Sequence, residues 1–278
     1  MKLLLLILSL LIISCNNIYQ IQYEPPKKAT EWCLEQPCIE VSNIILSQPT
    51  SSILVFLLAF QTIFAGYQFL KNHKNQNSRK WWGYSLLFTG LGAFLAGISY
   101  QLLGYELKCT ASDYCHWTNW LEIYYNLTTV MGAGTLLIGV GYSCMNRYWI
   151  NKIKLIAIIQ VFIYSTLCLT GAFIPIQFLI SYEFLVIFSS PIYILFLFIN
   201  GYQYIKYKKP IYKFYSVLWI SIFTIISIYF IYLNLGITEI LWSKNIWFSA
   251  NDILHVLMIL WILYIQIKLN FHIRDRNN

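Results

Sequence analysis

Seven long stretches of this chain are almost free of charge, and each runs for about 20 residues. That length carries an α-helix across a hydrocarbon core of roughly 30 Å at about 1.5 Å per residue. Inside lipid the backbone has no water to bond, so each stretch must be helical. The spans fall at about 50–70, 82–104, 118–142, 150–173, 176–200, 212–235 and 250–270. Only 11% of the residues are charged, against about a quarter in a soluble domain. So few charges cannot solvate a folded surface, so lipid must cover much of it. The expected fold class is all-α, a polytopic bundle of seven transmembrane helices over residues 50–270.

The start of the chain reads as an export signal. Lys2 precedes an apolar run from Leu3 to Ile13, followed by Ser14, Cys15 and two asparagines. A basic start, a short apolar stretch and a small residue before the cut describe a signal peptide, here residues 1–14. Ile12-Ile13-Ser14-Cys15 resembles the lipobox of bacterial lipoproteins, which makes Cys15 a candidate lipidation site. An ordinary signal that happens to contain Cys15 is the alternative. Residues 15–49 form a short extracytoplasmic segment, too small for a domain.

Charge orients the bundle. The net charge is +8, which in a soluble protein could point to nucleic acid. Here the cations sit in short loops, and no nucleic-acid partner is expected. Lys71, Lys74, Arg79 and Lys80 follow span 1; Arg147, Lys152 and Lys154 follow span 3; Lys206, Lys208, Lys209 and Lys213 follow span 5. Lys268, Arg274 and Arg276 close the chain, in or beside a basic tail over 271–278 that contains Asp275. Lys/Arg excess marks the cytoplasmic side. The N-terminus is therefore expected outside and the C-terminus inside, in a bacterial cytoplasmic membrane. Cys33, Cys38, Cys109 and Cys115 then lie on the oxidising side. Four cysteines allow three pairings; local pairs Cys33–Cys38 and Cys109–Cys115 are the first choice.

Glycines recur every seven residues in span 2 (Gly83, Gly90, Gly97, Gly104) and in span 3 (Gly132/Gly139, Gly134/Gly141). Small residues on one face let helices approach closely in lipid, so spans 2 and 3 are expected to form a tight hairpin.

Polar residues inside a membrane are costly and mark candidate sites. Asn119, Glu122 and Asn126 form one stripe at the start of span 3. Asn251, Asp252 and His255 lie within about a turn of one another at the start of span 7. Tyr100 ends span 2, and Glu183 is near the start of span 5. All lie in the outer third of the membrane, which predicts a polar pocket open to the periplasm and built mainly by spans 2, 3 and 7. Glu122 and Asp252 also suit a helix N-terminus by its dipole, and His255 could be a core histidine bonded to one of them.

At these residues the chain resembles the alkaline-ceramidase-like membrane hydrolases of the CREST superfamily, which also holds the progestin/adiponectin-receptor-type proteins. The resemblance implies seven helices and a zinc site that activates water to cleave a lipid amide. The family's acid on span 3 corresponds to Glu122. Its His-x-x-x-His pair on span 7 corresponds to Asn251-x-x-x-His255, and its span 2 histidine to Tyr100. Of three expected histidines only His255 is present. Glu122, Asp252 and His255 remain as candidate zinc ligands and catalytic groups. The favoured reading is a non-enzymatic protein that binds or senses a lipid-like or small-molecule ligand among membrane lipids. A divergent metal-dependent hydrolase and a transporter are the alternatives.

Overall fold

The computed structural model describes residues 17–110 and 112–276. The expected signal over 1–14 and Cys15 lie outside the described residues. Among the described residues, seven helices are long and apolar enough to cross a membrane. They are α1 (Pro49–Lys71), α2 (Asn77–Leu102), α3 (Trp120–Cys144), α4 (Arg147–Phe173), α5 (Tyr182–Tyr207), α6 (Pro210–Asn234) and α7 (Ala250–His272). The chain is therefore an integral membrane protein in its architecture.

The helix starts follow local chemistry. Asn119, Asn146, Ser181 and Ser249 precede α3, α4, α5 and α7, and each accepts a backbone N–H of the first turn, as good N-caps do. Proline opens α1 and α6, where its missing N–H costs nothing. The Ser181 cap corrects one boundary. Residues 176–200 read as one span, but Gln177–Ile180 is a separate turn and α5 begins after Ser181.

α1, α2, α3, α5, α6 and α7 surround a central space, and α4 packs outside on α3. α2 and α3 are closely packed, as the hairpin expectation requires. The glycine stripe of α2 nevertheless faces α1. A Cβ on Gly83 would lie 2.7 Å from Leu70, and one on Gly90 would lie 2.7 Å from Ile63. The α3 glycines divide their contacts, Gly132 and Gly139 meeting α2 and Gly134 and Gly141 meeting α4. A stripe read from one helix gives the close face but not the partner.

Residues 17–48 are folded as a cap over one end of the bundle. β1 (Cys38–Val41) and β2 (Ile44–Ser47) make an antiparallel hairpin, with Cys38 opposite Ser47. Gln22 pairs with His116 and Lys28 with Tyr114 in isolated bridges. Ile18 and Ile21 are buried with Ile123, Tyr164 and Phe184. The Trp32 indole donates to Ser47 Oγ at 2.9 Å. Cys33–Cys38 and Cys109–Cys115 are both disulfides, the local pairing that the spacing favoured.

At the opposite, basic end the tail is tied down. The Asp275 carboxylate accepts the backbone N–H groups of Asn77 (2.9 Å) and Ser78 (2.7 Å). Arg79 donates to the carbonyl and side-chain oxygen of Asn270, both at 2.5 Å. Arg276 donates to the Cys144 carbonyl at 2.6 Å.

Candidate functional site

The last turn and a half of α2 is wound as a π-helix over Gly97–Leu102, with Leu103 N bonding Ile98 O at 2.8 Å. The wider turn carries Ser99 and Tyr100, and such segments often mark functional positions. Ser99 is fully buried and its hydroxyl donates to Glu122 Oε1 at 2.9 Å. Asn119, the α3 cap, donates to Ser99 Oγ at 2.7 Å.

Lys108 completes this cluster. It ends the short helix Gly104–Lys108 and leads directly into the Cys109–Cys115 loop. Its ammonium lies 2.6 Å from Glu122 Oε1, with the side chains 3% and 1% exposed. It also donates to the Trp117 carbonyl at 3.0 Å and sits 4.9 Å from the Tyr100 ring centre. Burial pushes the Lys108 pKa down, but Glu122 and then the Tyr23 hydroxyl push it up, and the net direction is upward. Burial likewise raises Tyr23 above the usual phenol range, against the pull of Lys108.

Glu122 Oε1 is thus met by both Lys108 and Ser99. Asp252 is occupied differently. It belongs to the α7 capping box, where Ser249 N donates to its Oδ2. The Ser249 hydroxyl lies 3.1 Å from that of Ser51 on α1. Asn126 donates to the Ile180 carbonyl at 2.8 Å, pinning α3 to the turn before α5. Asn251 is half-buried, while Glu183 is exposed on the first turn of α5. The expected common pocket is therefore divided among separate neighbourhoods. Among the described residues no three His, Cys, Asp or Glu side chains come together to hold a metal ion. The candidate ligands Glu122, Asp252 and His255 are not gathered into one such group among the described residues, Glu122 and Asp252 being engaged in separate networks.

His255 faces a different space. A central cavity of about 300 Å³ is bounded by residues of α1, α2, α3, α5, α6 and α7. Its wall is mostly apolar, with Leu58, Ala93, Leu136, Leu185, Ile226 and Met258 typical. Among the described residues no Asp, Glu, Lys or Arg lines it. The Nδ1 atom of His255 and the hydroxyl of Ser189 are buried in this wall without a hydrogen-bond partner among the described residues. Pro191 of α5 lacks the N–H that would bond the Ile187 carbonyl, and Ser190 donates to that carbonyl at 3.1 Å. Tyr125 of α3 also lines the cavity and meets Tyr100 edge-to-face at 6.0 Å, which links the cavity wall to the residues around Lys108 and Glu122.

Lys108 is absent from the candidates drawn from the sequence, as a lone cation in the segment between spans 2 and 3. Its position beside a loop-closing cysteine, across the hairpin from Glu122, was the available signal. Tyr125, Tyr182, Ser189 and Tyr193 are absent too, because one-helix patterns do not say which face lines a cavity.

A family model described as "Family of unknown function (DUF6962)" matches residues 50–269, which covers nearly all of the helical bundle. No curated protein matches the chain. No solved structure matches it either.

Proposed function

The chain belongs to the DUF6962 family, and from that premise we propose that it is a membrane receptor or sensor that binds a neutral, largely apolar ligand in the central cavity. The absence of Asp, Glu, Lys and Arg from the cavity wall, among the described residues, carries this reading. A charged headgroup there would be desolvated without a counter-ion, at a cost of several kcal/mol. Apolar walls with a few polar groups suit a hydrophobic body and one hydrogen-bonding head. His255 Nδ1, Ser189 Oγ and Trp82 Nε1 are lining groups without a hydrogen-bond partner among the described residues, and they are available to meet that head.

The positive-inside rule places the capped end outside the cytoplasm and the basic end in it. With residues 1–14 as a signal and Cys15 as an acylation site, the protein sits in a bacterial cytoplasmic membrane with its cap in the periplasm. Cap disulfides fit that compartment. Among the described residues no ligand set is gathered for the hydrolase reading. A transporter pathway is expected to be polar through its depth, and the wall of this cavity is mostly apolar.

The test is organic extraction of detergent-purified protein followed by mass spectrometry. A neutral amphiphile retained in stoichiometric amount, and lost in Ser189→Phe protein of unchanged melting temperature, is the expected result. Retention of a carboxylate or phosphate ester displaceable from this cavity would sink the reading.

A further inference from the structure

Beside the central cavity the bundle carries a second concavity that shares no residue with it. It is an open groove of about 560 Å³ between α2, α3 and α4, with Trp81, Phe88, Met131 and Phe162 among its walls. Met131, Ile158 and Phe162 are exposed, so the groove looks out to lipid. Its depth follows from backbone packing. A Cβ on Gly134 would lie 2.6 Å from Val161 and 3.5 Å from the Ala157 carbonyl. α3 and α4 therefore touch at small residues there and leave a trough above them.

The groove has a polarity. Lys154 stands at its basic-end rim and Ser165 at the other end, both on α4. At about 1.5 Å per residue they are roughly 16 Å apart along the helix, close to the roughly 15 Å of hydrocarbon in one leaflet. Lys154 is half-buried and lies 5.2 Å from the Tyr142 ring centre. Among the described residues it has no acidic partner within ion-pair distance. We propose that this groove binds an anionic phospholipid of the leaflet at the basic end, one acyl chain lying in the trough and the phosphate meeting the Lys154 ammonium.

A second copy of the chain fits the groove less well. It would have to bring an acid to Lys154, and the acidic side chain in the sequence of this end is Asp275. That carboxylate is already held by the N-terminus of α2. A zwitterionic lipid also carries a phosphate, but its own ammonium group offsets that charge, so it compensates a half-buried lysine less well than an anionic lipid does. Juxtamembrane cations attract anionic lipid by an amount equivalent to about fivefold in affinity per lysine.

The experiment is native mass spectrometry of the full chain in detergent, titrated with phosphatidylglycerol or with phosphatidylcholine of the same acyl chains. One phosphatidylglycerol should be retained in preference. Lys154→Gln should lower its retention about fivefold, and Lys154→Arg should preserve it. Lys152→Gln, which removes an exposed cation of the same helix, should change little. Thr135→Phe, which fills the trough, should also lower retention. Equal retention of both lipids would overturn the proposal. So would an equal loss in Lys152→Gln, which would mean diffuse surface attraction, or a loss in Lys154→Arg. Appearance of a lipid-free dimer that Thr135→Phe abolishes would assign the groove to self-association and overturn it as well.

Discussion

The Lys108 ammonium contacts the Glu122 carboxylate at 2.6 Å across the α2–α3 hairpin, with both side chains almost completely shielded. The pair joins the disulfide-closed loop of the cap to the first turn of α3. It is held in a frame of Ser99, Asn119 and the Trp117 carbonyl. Removing one partner from such a pair leaves an uncompensated buried charge, whereas removing both does not. Lys108→Met alone should therefore destabilise by about 3–5 kcal/mol. Lys108→Met combined with Glu122→Gln should recover a substantial part of that loss. Thermal unfolding of the single and double variants in one detergent makes the comparison. Additive losses would show that the two groups act independently.

The pH dependence of this cluster has a definite sign. Lys108 has a raised pKa in the folded protein, so its contribution is complete below the unfolded value of about 10.4 and is lost as pH rises through the folded value. Tyr23, also raised, binds its proton more tightly when folded and acts in the same direction. Melting temperature should show no loss from these groups between about pH 7 and 9 and should fall above about pH 10.4. In Lys108→Met protein the alkaline fall should be shallower. A steep loss between pH 7 and 9 that disappears in Lys108→Met would contradict this assignment.

The Cys109–Cys115 bridge closes the loop that follows Lys108. Its backbone also bonds the cap, with Cys115 N donating to the Lys27 carbonyl at 2.8 Å. Replacing both cysteines by serine should cost about 2 kcal/mol, the low end for a short loop. Amide exchange should accelerate in residues 17–48 before it does in α5 and α6. Uniform acceleration across the bundle would argue against a local staple.

Asp275 serves the N-terminus of α2, where backbone N–H groups lack helical partners and the dipole favours an anion. Asp275→Ala should destabilise by about 0.5–2 kcal/mol. Asp275→Asn should lose less, because the side-chain oxygen still accepts hydrogen bonds. Melting curves of the two variants decide this, and an unchanged Asp275→Ala protein would show the tail contact to be dispensable.

Gly90 has Ile63 side-chain and backbone atoms and the Ala59 carbonyl within 3.0 Å of where a Cβ would stand. Gly90→Val must push α1 away from α2. Overpacking of this kind costs about 1–3 kcal/mol, and it should exceed the cost of Gly201→Val, where a Cβ meets nothing within 4 Å. Parallel melts of the two variants test which helix face is the packed one.

Much of this protein follows from the order of its residues. Apolar runs of membrane length define seven helices, and an Asn or Ser cap or an opening Pro sets where all but α2 begin, because these are local effects of backbone solvation and capping. Cysteine spacing favoured the two short loops that do form. The intramembrane polar residues could be picked out one by one, since each is expensive in lipid. Their partners could not. Glu122 found Lys108, Asp252 found its own cap, and His255 was left facing an apolar cavity. Each outcome depends on how helices rotate and cross, and helical periodicity fixes a face without naming what it meets. The α2 glycines met α1 for the same reason. Tertiary packing alone decided which polar groups were satisfied and where the empty space remained.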